Sequence, residues 1–235
     1  MPISNLSGNL ACTMSSLERI DAHYRIPWVT DDLIDYGDVQ IELCLPPVLQ
    51  QRRTVGNRFV LGKNRRLVEA HLAQLGGRPV ERIVDVGVLQ GGSVVLYHKL
   101  FSPKKLIGIE LSPIRLPSLD AYAARQRDGS IFVAHGVNQA DGPALDRICA
   151  AELGGQALDL VVDDASHFNA ETRATFRALF PRLRPGGLYI IEDWGWAHWP
   201  GDLWQKERGV HTSTAKNRSP IYWSNWSRSA RARRW

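Results

Sequence analysis

Residues 82–93 read RIVDVGVLQGGS, an apolar run followed by a turn with three glycines and the start of a helical pattern. The run Arg82–Val86 predicts a strand buried on both faces, because its apolar residues follow one another without polar alternation. Gly87 and Gly91 allow a tight turn and a close approach to a ligand, and a helix that starts there presents free N–H groups. The segment therefore predicts a ligand-binding turn, although a strand-to-helix corner can need glycine for structural reasons alone.

Four more apolar runs recur along the chain, and the starts of the five runs are 24, 24, 28 and 30 residues apart. Helical patterns separate the runs, and an amphipathic helix that ends at Gly76-Gly77 precedes the first of them. Strands that alternate with helices form a parallel sheet covered by helices on both faces, so the sequence predicts an α/β, Rossmann-like fold. The later predicted strands are Leu106–Glu110, Ser130–Ala134, Leu158–Asp163 and Leu188–Glu192.

The composition is that of a globular protein, with 235 residues of which 44% are hydrophobic and 23% are charged. This composition excludes wholesale disorder. No apolar stretch reaches the roughly 18 residues that a membrane-spanning helix needs, so no span is predicted. The three cysteines are widely separated, which fits a reducing compartment and predicts a cytoplasmic location.

The two ends of the chain differ from the middle. Residues 1–60 are less periodic, and they are interpreted as a cap or lid, with a simple surface extension as the alternative. The net positive charge of the chain, +5, comes from residues 206–235, which include eight basic residues and one acidic residue. Seven of the eight tryptophans lie in the last 42 residues, where no strand pair is evident. Trp and Arg together can stack on nucleobases, but a loosely packed tail is favoured and nucleic acid is disfavoured as a partner.

Glu110 ends the second predicted strand, nineteen residues after Gly91. A carboxylate at this position can accept hydrogen bonds from both hydroxyls of a ribose bound at the glycine turn. The turn is not G-x-G-x-x-G, which makes a dinucleotide the lesser interpretation. The pattern predicts a nucleoside-containing ligand.

With these motifs the sequence resembles the class I S-adenosylmethionine-dependent methyltransferases. The resemblance implies that Asp85, Gly87 and Gly91 lie beside the methionyl part of S-adenosylmethionine and that Glu110 holds its ribose. It predicts a methyltransferase domain over residues 61–205.

The loop after the third strand is similar to the loop that lies beside adenine in that family. Asn138 and Gln139 are therefore candidate adenine-side residues, and ordinary polar loop residues are the alternative. We also assign Asp163, at the end of the fourth strand, to the cofactor side.

Three acidic residues follow the last two predicted strands, in the stretches VVDDASH at 161–167 and YIIED at 189–193. Asp164, Glu192 and Asp193 should converge, because adjacent parallel strands bring their carboxyl ends to one edge. Clustered carboxylates repel one another unless a cation lies among them, and oxygen ligands favour Mg²⁺, Mn²⁺ or Ca²⁺. The alternative is that these acids are solvated strand-end residues or helix caps.

The paired acidic motifs resemble a narrower group, the metal-dependent sugar O-methyltransferases of natural-product glycosides and the related cephalosporin-hydroxylase-like proteins. This resemblance implies that Asp164, Glu192 and Asp193 bind Mg²⁺ or another hard divalent cation and that His167 is the general base. Histidine accepts a proton near neutral pH, whereas a hydrogen-bonded histidine at a helix start is the structural alternative.

The sequence thus predicts an O-methyltransferase that uses S-adenosylmethionine and a divalent metal on a hydroxyl of a sugar, a glycosylated natural product or a glycolipid. The expected partner is a small hydroxylated molecule, and homo-oligomerisation is left open. Two alternatives remain: a nucleic-acid methyltransferase that uses the basic tail, and a non-catalytic protein with the same fold.

Overall fold

The computed structural model describes residue 20, residues 23–126 and 128–195, and the backbone of residues 221–224. The described residues form two sheets, a small one near the N-terminus and a larger one that carries the candidate site. The basic tail predicted over residues 206–235 lies outside the described residues, apart from the four backbone positions.

The small sheet has four strands in the order of the chain. Its first three strands pair antiparallel, and the last two pair parallel to each other. Apolar residues of this sheet share one core with the helices of the larger sheet, so the segment predicted as a cap packs onto the domain. The elements are β1 (Trp28–Thr30), β2 (Leu33–Asp35), β3 (Gln40–Leu43), the one-turn helix α1 (Val48–Gln51) and β4 (Arg58–Leu61).

The larger sheet begins after the predicted amphipathic helix, which the structure confirms as α2. This helix starts at the Asn64 cap and ends at Gly76, whose φ of 56° is left-handed. The remaining elements alternate as predicted. They are α2 (Arg65–Leu75), β5 (Arg82–Val86), α3 (Gly92–Phe101), β6 (Lys105–Glu110), α4 (Pro117–Arg125), β7 (Ile131–His135), α5 (Gly142–Leu153), β8 (Leu158–Asp163), α6 (Asn169–Leu179) and β9 (Leu183–Ile191).

The strand order is β9-β8-β5-β6-β7, and these five strands are all parallel. Successive residues of a strand point to opposite faces, so Ile83 packs in one hydrophobic cluster and Val84 in the other. Helices α2, α3 and α4 cover the first face, and α5 and α6 cover the second. The predicted Rossmann-like α/β fold is confirmed.

A sixth strand, β10 (Ile221–Ser224), pairs antiparallel with β9 at the edge of the sheet. Its sequence is rich in β-branched and aromatic residues, which suit a strand. The sequence predicts no strand pair after Asp193, because serine, asparagine and arginine around this short run mask its pattern. No helix in the described ranges is both long enough and apolar enough to cross a bilayer.

Candidate functional site

The candidate site is a row of residues that follow the carboxyl ends of four neighbouring strands. Ile109, Val86, Asp163 and Ile191 pair side by side across the sheet, which makes them the last shared row of the parallel ladder. The residues immediately after that row are Glu110, Gly87, Asp164 and Glu192. The order in which the chain adds strands reverses between β5 and β8. Strands β6 and β7 lie on one side of β5, and β8 and β9 lie on the other. Ligands of open α/β sheets bind at this switch point.

Position 87 requires glycine because of its backbone conformation and the chain segment that packs against it. Its φ is +96°, and a Cβ atom added there would lie 2.2 Å from the Asp164 carbonyl oxygen. The Asp164 amide in turn donates to the Val86 carbonyl at 2.9 Å, so the segment after β8 crosses directly over the turn. The structure therefore supports a packing requirement for glycine at position 87. Because there is no side chain there, the acidic segment after β8 can lie close to the turn.

Strand β4 packs against the second half of the turn. Val60 forms an isolated parallel bridge with Gly91, which has a φ of +84°. A Cβ atom on Gly92 would lie 2.4 Å from the Val60 carbonyl oxygen. The packing of Val60 against Gly92 was not predicted, because nothing near the glycines in the chain indicates that a distant strand packs on them.

Glu110 lies against the glycine turn. Its Oε2 accepts a hydrogen bond from the Leu89 amide at 2.8 Å, and its Oε1 accepts one from the Ser112 amide at 2.8 Å. Each carboxylate oxygen has a second lone pair, so both can still accept from a ribose hydroxyl. Both oxygens of Glu110 are thus able to accept a further hydrogen bond, and the predicted ribose contact stays a prediction.

Asp85 lies one residue before the end of β5 and is only 1% exposed. The Ser93 hydroxyl, in the first turn of α3, donates to its Oδ2 at 2.6 Å. Burial raises the pKa of Asp85 to about 7, against the opposing effect of this hydrogen bond. Asp85 therefore connects β5 to the helix that follows the turn, and its predicted cofactor contact is untested.

The raised pKa of Asp85 predicts a pH-dependent stability. Between the ordinary carboxyl pKa of 3.8 and about 7, the folded state holds a proton that the unfolded state has lost. The Asp85 contribution is thus complete below about pH 4 and is lost as the pH rises through 7, by on the order of 4 kcal/mol. Denaturant unfolding of wild type and Asp85→Asn at a series of pH values should show the wild type losing stability relative to the variant. Asp31→Asn, at a side chain that is 92% exposed, is the control, and parallel pH profiles for wild type and Asp85→Asn would contradict the expectation.

The predicted adenine-side pair separates in the structure. Asn138 is exposed, and its Oδ1 accepts from the Ala140 amide at 2.9 Å in a local turn. Gln139 is buried, and its side chain bonds Asp163, Thr175 and the Ser166 amide. Gln139 therefore fastens the segment after β8 to helix α6. No observation tests the predicted adenine contacts of Asn138 and Gln139.

Asp163 is buried at the end of β8, where the Gln139 amide donates to its Oδ1 at 3.1 Å. Burial and the nearby Asp164 charge raise the pKa of Asp163 well above its usual value. A carboxyl group held in this way favours the protonated form. Its assignment to the cofactor side stays a prediction.

A lysine occupies the acidic cluster. Lys63 Nζ donates to Asp164 Oδ2 at 2.6 Å and to Glu192 Oε1 at 2.5 Å, and the lysine side chain is 2% exposed. Glu192 is 3% exposed, so this ion pair is buried. Burial opposes the charge on Lys63, but the two carboxylates outweigh it and hold the lysine pKa well above its ordinary value. The cluster therefore already contains a positive charge supplied by the chain.

The same contacts set the charges of the acids. Burial would raise the pKa of Asp164, but the Lys63 ammonium keeps it below the usual value. Burial raises the pKa of Glu192 above its usual value, with the Lys63 ammonium opposing and Asp164 adding to the shift. His71 Nε2 lies 3.8 Å from Glu192 Oε1, and burial together with the Lys63 charge lowers the pKa of His71 to about 3. His71 is thus neutral at physiological pH, and the positive charge beside Glu192 belongs to Lys63.

His167 and Asp193 lie on the other side of Asp164. His167 Nε2 is 3.9 Å from Asp164 Oδ1, and one ligand atom each from Asp164, His167 and Asp193 lie within 4.8 Å of one another. This oxygen-rich set suits a hard divalent cation, so a metal fits among these three groups. Glu192 shares Lys63 with Asp164, so the predicted convergence of the acids at this edge of the sheet is seen, and the metal contacts of Asp164, Glu192 and Asp193 stay predictions.

Backbone strain is concentrated at the same place. His167 has a φ of 58°, Asp193 of 52° and Leu89, in the glycine turn, of 50°. A non-glycine residue at positive φ is uncommon, and such residues tend to cluster at functional sites. The strained backbone places the His167 and Asp193 side chains together beside Asp164.

Sequence reasoning missed Lys63. The only signal was a lysine directly after the apolar run of β4, in the stretch RFVLGK at 58–63. A single lysine at a strand end is ordinarily a solvated residue. Its carboxylate partners are 101 and 129 positions away in the chain, which no local pattern reveals.

Comparison with known proteins extends this picture, although no family model matches the chain. The chain is 36% identical over 127 residues to mycinamicin VI 2''-O-methyltransferase of Micromonospora griseorubida, which is 51% of this chain and 29% of that protein. It is 32% identical over 129 residues to demethylmacrocin O-methyltransferase of Streptomyces fradiae, which is 51% of this chain and 29% of that protein.

A third relative has the longer match. It is 8-demethyl-8-(2-methoxy-alpha-L-rhamnosyl)-tetracenomycin-C 3'-O-methyltransferase of Streptomyces olivaceus, with 32% identity over 162 residues, or 66% of this chain and 37% of that protein. A solved structure of the MycE methyltransferase superposes with a TM-score of 0.45 and 31% identity over 58% of this chain and 36% of that one. The chain spans about a third of the length of the curated relatives it matches. The predicted resemblance to sugar O-methyltransferases is confirmed as a similarity over half to two thirds of this chain.

Proposed function

We propose that this chain is an S-adenosylmethionine-dependent O-methyltransferase that uses a divalent metal and acts on a hydroxyl of a sugar in a glycosylated natural product or glycolipid. The observation that carries the proposal is the row of strand ends, where Glu110 and the glycine turn lie beside Asp164. A site for a nucleoside cofactor and an acidic site with a histidine are thus neighbours. The similarity to three sugar O-methyltransferases supports the same chemistry.

On the cofactor side, the chain supplies a carboxylate and a glycine turn. S-adenosylmethionine, when bound, supplies an electrophilic methyl group. Glu110 is already oriented by two backbone amides, so it can accept from the ribose hydroxyls without reorganising. Asp85, Gly87 and Gly91 are the residues beside which the methionyl part would rest.

On the acceptor side, Asp164, Glu192 and Asp193 would hold a divalent cation, and Asp164 and Asp193 already lie in one group with His167. A divalent cation, when bound, supplies positive charge that lowers the pKa of a nearby hydroxyl. His167 is placed to accept the proton that the acceptor hydroxyl releases as it is methylated. A sugar, with neighbouring hydroxyls, presents the paired oxygens that such a cation favours.

The cofactor assignment is tested through Glu110. Glu110→Ala removes a charged hydrogen-bond acceptor, which is typically worth about 1.5–3 kcal/mol, so the Kd for S-adenosylmethionine should rise by about 10- to 100-fold. Titration calorimetry of the full chain measures this change, and Glu152→Ala, at an ion pair with Lys105, is the matched control. Unchanged affinity in Glu110→Ala, or tight binding of a nicotinamide dinucleotide to the wild type, would overturn the assignment.

The remaining expectations concern partners and location. A small glycoside as partner and a cytoplasmic location stay predictions, nucleic acid stays disfavoured as a partner, and homo-oligomerisation stays open. A nucleic-acid methyltransferase that uses the basic tail is the alternative, and deleting residues 206–235 while measuring RNA and DNA binding across salt concentrations tests it. A non-catalytic protein would bind S-adenosylmethionine without methylating any glycoside.

A further inference from the structure

Two buried polar side chains lie against the segment that follows β8. They are Gln139, from the loop between β7 and α5, and Thr175, from helix α6. The Gln139 Oε1 atom accepts a hydrogen bond from the Ser166 amide at 2.8 Å. Ser166 directly precedes His167, so a side chain from a distant loop holds the backbone next to the proposed base.

The orientation of the Gln139 amide follows from its partners. A backbone N–H can only donate, so the oxygen end of the amide must face Ser166. The nitrogen end then faces the Thr175 hydroxyl at 2.9 Å and Asp163 Oδ1 at 3.1 Å. Both hydrogens of this nitrogen are therefore used, whereas Oε1 keeps a lone pair that is still able to accept from adenine.

Thr175 fixes this orientation from helix α6. Its side chain is 0% exposed, and its Oγ1 accepts the hydrogen bond from Gln139 Nε2. The hydroxyl hydrogen lies within reach of two carbonyl oxygens, those of Gln139 at 3.1 Å and Glu171 at 2.9 Å. Without the hydroxyl, a buried N–H of Gln139 would lose its acceptor, which is costly and favours another side-chain rotamer.

The backbone at His167 depends on contacts of this kind. Its φ is 58°, a strained conformation that persists only where the surrounding structure imposes it. On the far side of His167, the Phe168 amide donates to Ser166 Oγ at 3.3 Å. Ser166 thus connects the chain before and after His167, and Gln139 holds Ser166.

We propose that Thr175 is a positioning residue for methyl transfer, which holds Ser166 through Gln139 and so keeps His167 directed at the acceptor hydroxyl. The inference rests on the proposed function of His167 as the general base. It gives a catalytic consequence to a buried hydroxyl that has no predicted contact with the cofactor, the metal or the acceptor.

Amide hydrogen exchange of the full chain tests the contact directly. Thr175→Val keeps the shape of the side chain and removes the hydroxyl, so the Ser166 amide should exchange at least about tenfold faster. Thr175→Ser keeps the hydroxyl and should exchange within about threefold of wild type. The Leu89 amide, which Glu110 holds on the cofactor side, is the internal control and should not change. Unchanged Ser166 exchange in Thr175→Val, or equal acceleration of both amides, would overturn the inference.

Steady-state kinetics of methyl transfer to a glycoside compares the same variants. Thr175→Val should lower kcat by about 10- to 100-fold with little change in KM, because a small misplacement of a reacting group is enough for such a loss. Thr175→Ser should restore most of this loss. Thr172→Val, one turn earlier on α6 and also buried, is the matched control and should keep kcat within about threefold of wild type.

A double variant adds a readout that a merely structural role would not move. In the His167→Asn background, Thr175→Val should lower kcat by no more than about threefold, because the side chain that it positions is already gone. If the two losses multiply instead, Thr175 acts independently of His167 and the inference is wrong. Gln139→Met, which removes both ends of the amide, carries the same comparisons if Thr175→Val does not fold.

The outcomes separate this inference from the proposed function. Wild type that transfers no methyl group would overturn the proposed function and the catalytic part of the inference, whereas the Ser166 exchange still decides whether Thr175 holds the segment. Methyl transfer that depends on His167, combined with wild-type kcat in Thr175→Val, would overturn the role of Thr175 alone.

Discussion

Excess chelator is expected to abolish methyl transfer by this chain, and added Mg²⁺ is expected to restore it. A divalent cation held by the acidic cluster would supply the positive charge that lowers the pKa of an acceptor hydroxyl. Such a charge is worth several kcal/mol in the transition state, so turnover should fall by at least about 10³-fold. The measurement is methyl transfer to a panel of glycosides, with S-adenosylmethionine saturating throughout.

The control for this experiment is to check that the protein stays folded in chelator. Because Lys63 offsets the Asp164 and Glu192 charges, the far-ultraviolet circular dichroism of the wild type should be the same in chelator and in Mg²⁺. Loss of turnover with the fold intact then locates the effect at the proposed cation site. Full turnover in excess chelator would remove the metal from the mechanism, even if methyl transfer itself were observed.

Replacing His167 is expected to lower kcat by about 10²- to 10⁴-fold while the affinity for S-adenosylmethionine barely changes. The loss follows from the position of His167 beside Asp164 Oδ1 and Asp193, where it can take the proton of the acceptor hydroxyl. The loss should shrink as the pH rises, because hydroxide can increasingly replace the missing base. Steady-state kinetics from about pH 6 to 9 brackets a histidine titration.

The choice of substitution matters because His167 has a φ of 58°. Asparagine tolerates this left-handed backbone better than alanine does, so His167→Asn removes the base with the least added strain. His167→Ala is the companion variant, and His23→Ala, at an exposed histidine, is the control. If both His167 variants keep wild-type turnover across this range, His167 is not the base. If either loses cofactor binding or folding, its role is structural.

Local patterns were enough to predict the five parallel strands of the larger sheet. Buried parallel strands are apolar throughout, so Arg82–Val86 and Leu158–Asp163 agree with the structure residue for residue. The fifth strand begins at Leu183 rather than Leu188, because residues 183–187 continue the pairing with β8 through a register shift. The glycine and proline of that stretch are typical of a turn, which is why the sequence alone favoured a loop there.

The sequence by itself determined which residues stand at the carboxyl edge, because a parallel sheet with regular crossovers must bring its strand ends together. That alone placed Glu110, Asp164 and Glu192 in one row. Only the tertiary structure decided that Asp164 and Glu192 share a lysine, since Lys63 follows a strand that packs on the glycine turn through Gly92. The physical reason is the distance along the chain over which each signal acts. Hydrophobic periodicity and turn chemistry act over a few neighbouring residues. A buried ion pair between residues 129 positions apart forms only when the whole domain has folded around it.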